Sequence, residues 1–197
     1  GYWHTEDESF ARIKLHDGSP NDTTSWWEVW LKDGTRYIFG SEVDGSRAYA
    51  DIPYCWDGSE VGNIPWQWGM SKIISRYGQE IHILYDRYQP LIHSFNCGEQ
   101  TELTVDGTFW MYPKEIRYPQ DAYIVKFNFE EKRSDYQAGW DNHNTSTLAA
   151  YMKNRLGSIE TRYDPDQNPN TDNSELIRKY SFIYANDALA GIDNTII

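Results

Sequence analysis

Residues 26–40, WWEVWLKDGTRYIFG, constrain the fold more than any other stretch. Two runs of aromatic and β-branched residues flank Asp33-Gly34. Gly adopts positive φ at no steric cost and Asp tolerates it, so this spacing predicts a β-hairpin with a two-residue turn. In that register Trp30 faces Tyr37 and Glu28 faces Phe39 on one side. Val29 faces Ile38 and Leu31 faces Arg36 on the other. Such cross-strand pairs stabilise sheets. Large apolar groups on both sides predict packing on both faces. Two strands alone are marginal in water, so the hairpin must belong to a larger sheet.

The rest of the chain supplies one. Residues 10–15, FARIKL, alternate as a strand does. Residues 16–25 are rich in turn formers. Residues 41–65 show little periodicity and read as an extended connection with short strands at best, pinned to the sheet by Trp56 and Trp66. A second hairpin is predicted from Trp66 to Tyr88, with Ile74 facing Ile81 and Met70 facing Tyr85. Tyr77 suits the first position of a tight turn poorly, which predicts a longer or bulged loop there. A third hairpin, LTVDGTFWMY (103–112), has another Asp-Gly turn. IRY (116–118) is a short strand, and AYIVKFNFE (122–130) is the clearest alternating one. TSTLAAYM (145–152) could form a helical turn or two. NRLGSIETRY (154–163) and ELIRKYSFIY (175–184) read as paired strands. Hairpins in series without βαβ spacing predict an all-β antiparallel meander.

Composition narrows the class. Aromatic residues make up 16% of 197, so the chain packs with rings. The net charge of −12 argues against nucleic acid, whose phosphates call for clustered Lys and Arg. Mean hydropathy is −0.76, and no run nears the roughly 18 apolar residues of a membrane span. Gly1 is not preceded by an initiator Met, and no leader is visible, so we expect residues 1–197 to be one segment excised from a longer polypeptide. Cys55 and Cys97 are either one disulfide, as in an exported protein, or two buried thiols.

Chemistry-bearing patterns are sparse. Asp164, Asp166, Asn168, Asn170, Asp172 and Glu175 follow the ligand spacing of a calcium loop. Pro169 stands where the sharp turn of that loop calls for Gly, and the flanks read as strands. The alternative is a solvated acidic loop. Glu28, Asp57, Asp135 and Asp141 are candidate carboxylates for a glycosidase pair, undistinguished by spacing. His4, His16, His82, His93 and His143 show no metal-ligand spacing. Thr145-Ser146-Thr147 is the nearest approach to an ADP-ribosyltransferase motif, and no Glu-x-Glu follows it. The sequence therefore predicts no catalytic residue, no cofactor and no metal site.

Several motifs together resemble the Rhs/YD-repeat superfamily. W-E-V-W-x-K-D-G-T-x-Y-x-F-G at 27–40 is similar to the SpvB-like domain that also opens the B component of insecticidal toxin complexes. Trp68, Met70, Ile73, Gly78, Ile81 and Tyr85 follow that family's second hairpin; Ser75, Gln79 and Ile83 depart from it. Arg133, Asp135, Tyr136 and Gly139, then Leu176, Arg178, Tyr180 and Tyr184, continue the family's order. The resemblance spans about residues 8 to 187. It implies a wall segment of a large secreted β shell that encloses or delivers a toxin polypeptide. It also implies neighbouring shell segments and an enclosed chain as partners, and no catalysis in this segment. A second reading is a surface adhesion or carbohydrate-binding module using exposed aromatics.

Overall fold

The computed structural model describes residue 3 and residues 11–56, 60–88, 94–97, 100–104, 110–119, 121–130, 154–167 and 173–184; for 52–56, 60–62, 88, 94–97, 100–104 and 110 it describes the backbone alone. The predicted helical turn at 145–152, the Asp-Gly turn of the third hairpin and the segment 131–150 lie outside these residues. The described residues contain strands and turns and no helix.

The strands are β1 (Arg12–His16), β2 (Trp26–Trp30), β3 (Arg36–Phe39), β4 (Glu42–Val43), β5 (Ser46–Arg47), β6 (Tyr49–Trp56), β7 (Glu60–Trp68) and β8 (Met70–Ile74). They continue as β9 (Glu80–Tyr88), β10 (Ser94–Cys97), β11 (Gln100–Thr104), β12 (Trp110–Tyr118), β13 (Tyr123–Glu130), β14 (Arg155–Tyr163) and β15 (Glu175–Ser181). One nine-stranded sheet runs β1-β2-β3-β8-β9-β12-β13-β14-β15. Its neighbours all pair antiparallel, so the expected meander is present. The pairs β4–β5, β6–β7 and β10–β11 leave the meander as separate two-stranded ribbons.

Both leading hairpins have slipped one residue from the predicted register. Val29 faces Tyr37, Glu28 faces Ile38 and Trp30 faces Arg36. Likewise Ile73 faces Ile81 and Ile74 faces Glu80. The cause is a three-residue loop in place of two. Leu31 N–H donates to Thr35 O at 2.9 Å and Gly34 N–H to Leu31 O at 3.1 Å. Ser75, Gln79 and Gly78 repeat the same pattern. Gly34 and Gly78 hold the final loop position at φ +88 and +82, where a left-handed residue closes a type I turn. Asp33 caps the first loop by accepting from Thr35 N–H at 2.8 Å. The longer loop expected at Tyr77 is therefore present, and Asp33-Gly34 has the same one.

Three further expectations are corrected. Residues 41–65 are not a loose connection: β6 and β7 form a long ribbon of eight and nine residues. Trp68 also meets the sheet, edge-on to Trp27 at 5.9 Å between ring centres; the side chain of Trp56 lies outside the described residues. The two arms of the third hairpin lie in different sheets, β11 pairing with β10 and β12 with β9 and β13. Residues 116–118 are only the end of the nine-residue β12.

A one-residue slip moves each side chain to the other face. The corrected register therefore sorts the sheet into two unlike faces. One row crosses all nine strands: Lys14, Glu28, Ile38, Lys72 and His82, continued by Arg117, Ile124, Arg162 and Leu176. This mixed, charged face holds the packed residues, among them Glu28, Ile38, Ile74, Leu84, Glu115, Arg117 and Ile124. The opposite face carries Ile13, Val29, Tyr37, Ile73 and Ile81, then Ile83, Ile116, Val125 and Phe127. All nine are half-buried.

Candidate functional site

The charged face is built from ion pairs between neighbouring strands. Glu115, Lys126, Glu160 and Lys179 lie opposite one another across β12 to β15, alternating in sign. Lys126 Nζ is 3.7 Å from Glu115, and Lys179 Nζ is 3.1 Å from Glu160. Arg162 adds a 2.9 Å bridge to Glu160. The Lys179 hydrogen bond is the largest influence holding the Glu160 carboxyl below its ordinary range, with Arg162 assisting and burial opposing. The buried Arg117 donates through Nε and Nη2 to Glu115 Oε2 at 3.0 and 2.8 Å, and through Nη1 to Asp44 Oδ2 at 2.6 Å. That last bond seats the β4–β5 turn on this face.

Two of the five histidines fall among the described residues. His16 stacks on Trp26 with ring centres 3.8 Å apart and donates to Glu28, 3.0 Å from Nε2. Arg36 reaches the other Glu28 oxygen at 3.1 Å. Glu28, a carboxylate candidate, is thus an ion-pair acceptor inside the sheet. His82 sits between Glu80, at 2.9 Å from Nε2, and Asp121, at 3.0 Å from Nδ1. Its two nitrogens point at opposite carboxylates, so the three groups do not converge on one point. Asp57, Asp135 and Asp141, with Thr145-Ser146-Thr147, lie outside the described residues, as do the side chains of Cys55 and Cys97.

A third acidic feature closes β14. Asp164 is 2% exposed, and its N–H donates to Ala122 O at 2.8 Å. Its Oδ1 is buried without a hydrogen-bond partner. Burial chiefly, and then the neighbouring Asp166 carboxyl, push the Asp164 carboxyl above its ordinary range, against the N–H groups of Asp166 and Gln167. Asp166 Oδ2 accepts from Asn173 Nδ2 at 2.8 Å. Of the calcium-loop pattern, Asp164 and Asp166 come together and Glu175 opens β15 opposite Tyr163. Residues 168–172 lie outside the described set. Among the described residues, no group of three or more His, Cys, Asp or Glu side chains could hold a metal ion.

The other face carries exposed and packed aromatic rings. Tyr118, Tyr123 and Tyr163 line up at one end of it, with ring centres 6.1 and 5.4 Å apart, and all three are exposed. At the opposite corner Trp68 and Trp3 pack edge-on against Trp27. Sequence reasoning missed this face because the predicted two-residue turn placed Val29 opposite Ile38. In the real register Val29 joins Tyr37 and Ile73. The repeated x-Gly loops were the available signal.

No protein-family model matches the chain, and no curated protein matches it. Solved structures do. The crystal structure of TcdB2-TccC3-Cdc42 aligns with TM-score 0.50 and 10% identity, over 91% of this chain and 10% of that one. The N-terminal domain of effector protein SpvB from Salmonella typhimurium strain LT2 aligns with TM-score 0.45 and 12% identity, over 90% of this chain and 67% of that one. This chain thus spans about a tenth of the toxin-complex chain it matches. The expected all-β fold is shared with part of that toxin-complex chain.

Proposed function

We propose that this chain is a wall segment of a secreted, toxin-complex-like shell, contributing sheet that encloses or delivers a polypeptide and carrying out no catalysis itself. One observation carries the reading: the sheet places most of its ion pairs on the packed face and leaves a row of isoleucine, valine and aromatic side chains half-open on the other. An apolar face that wide calls for a partner. In a wall, that partner is a neighbouring wall segment or an enclosed chain. The shared fold with part of a toxin-complex chain supports the same reading.

Photo-crosslinkers placed at Ile83 and Ile116 in the intact parent protein test it, with Lys126 and Lys179 as controls on the other face. Crosslinks from the isoleucine positions to other segments or to an enclosed chain are expected. Crosslinks from the lysine positions alone would reverse the proposed orientation, and none from either would remove the wall reading.

The second reading, a carbohydrate-binding or adhesion module, has one specific observation in its favour: the exposed row of Tyr118, Tyr123 and Tyr163. Rings on a surface stack on sugar faces. A soluble-sugar titration followed by tyrosine and tryptophan fluorescence separates the readings. Saturable binding lost in Tyr123→Ala would favour adhesion.

A further inference from the structure

We propose that the corner formed by Asp164 and Asp166 is a binding site for a hard divalent cation, with Ca²⁺ the ion that fits its chemistry. This site goes beyond the wall reading and does not depend on it.

The argument begins with Asp164 Oδ1. A carboxylate oxygen out of water and without a donor bears its whole desolvation cost. Native folds keep such an atom for a reason, and an ion is one. Here the difficulty is doubled, because a second carboxylate, Asp166, stands beside the first. Two neighbouring carboxylates call for positive charge between them. Either a shared proton or a cation can supply it.

The donor set favours the cation. Asp164 and Asp166 offer carboxylate oxygens, and the Asn173 amide nitrogen, donating to Asp166 Oδ2 at 2.8 Å, fixes the second of them at this corner. Oxygen ligands select hard ions over zinc or copper. Mg²⁺ demands near-octahedral geometry and gives up its water reluctantly. Ca²⁺ accepts six to eight ligands in irregular arrangements and readily completes its shell with backbone oxygens and water. Two carboxylates, below the three or more that a dedicated cage would gather, fit a weak calcium site.

Its position suggests a role. Asp164 bonds the turn before β13 through Ala122, and Asp166 bonds Asn173 just ahead of β15. An ion here would tie the edge strand β15 to the body of the sheet.

The test uses the 197-residue chain. CaCl₂ is titrated calorimetrically and by thermal melting against EGTA, and Tb³⁺ luminescence sensitised by the adjacent Tyr163 is competed with Ca²⁺. Saturable uptake is expected with a Kd of about 10⁻⁴–10⁻³ M, the range of extracellular calcium modules. Tm should rise with added Ca²⁺ as mass action requires. Asp164→Asn and the exposed Asp166→Asn should each weaken binding at least about tenfold, with Mg²⁺ weaker than Ca²⁺ throughout. If Asp164→Asn does not fold, Asp166→Asn gives the same reading. Absence of calcium heat and of competable Tb³⁺ signal in the wild-type chain would overturn the proposal. So would undiminished binding in Asp166→Asn. A calcium-independent rise in Tm for Asp164→Asn, with no calcium effect on the wild type, would assign the corner to a shared proton instead.

Discussion

At Gly40 the backbone runs with φ +77, and a β-carbon there would run into the Trp68 indole. Gly40 N–H donates to Gly69 O at 2.9 Å, and Gly69 N–H to Ala48 O at 2.7 Å. A β-carbon on Gly69 would come 2.9 Å from the Tyr85 ring. These two glycines let the β6–β7 ribbon close on the sheet. Gly40→Ala should lower the urea midpoint, costing about 1–3 kcal/mol. Gly45 shares the backbone strain, at φ +75, but has nothing within 4 Å. Gly45→Ala should therefore cost less, and the difference measures the Trp68 contact. A pH effect belongs at this scale too. The Glu80 carboxyl is held below its ordinary range chiefly by the His82 hydrogen bond, with Lys72 assisting and burial opposing. A folded pKa below the unfolded one means that the unfolded chain binds more protons. The stabilisation is therefore full above the ordinary glutamate pKa and is lost as pH falls through the lowered one. His82→Asn should melt below wild type near neutrality, and the gap should close in acid. A gap independent of pH would mean that His82 acts by packing alone.

Among elements, β15 stands apart. Every residue of it is exposed, Ile177 to 58% and Tyr180 to 51%. It is the last strand of the sheet order, and an exposed outer strand carrying Leu176, Ile177 and Tyr180 is a template for pairing. At the other end, Trp3 bridges Ile13 of β1. We expect the isolated chain to associate through β15 and Ile177→Lys to shift size-exclusion elution towards monomer. Amide exchange should be fastest in β15 and slowest in β9 and β12, which lie inside the sheet. A dilution-stable monomer with β15 amides protected would contradict this and favour an independent module. The strand pairs themselves were legible: β2–β3, β8–β9 and β14–β15 follow from alternation and turn residues. Their register was not, because Asp33-Gly34 serves two-residue and three-residue loops alike. Asp33 capping Thr35 decides between them.

Across the whole molecule, the sheet is cooperative because its packed face is continuous from strand to strand. Ile38, 5% exposed and third from one edge, lies between Glu28 and Lys72 in the all-strand row. Ile38→Ala should cost about 2–5 kcal/mol. Ile83→Ala, on the half-open face, should cost the isolated chain less, since less area is recovered from water there. Equal losses would show that both faces are packed alike. The β6–β7 ribbon was missed in the sequence because its residues lack clean alternation; pairing to each other, not periodicity, makes them strands.

The amino-acid sequence alone determines that this chain is an antiparallel all-β meander, because alternation and turn chemistry are local and act within a few residues. The tertiary structure alone decides which face each side chain takes, which ribbons leave the sheet, and that Asp164 is buried beside Asp166. Those outcomes depend on single-residue register and on contacts between distant strands, and a period of two carries no information about either.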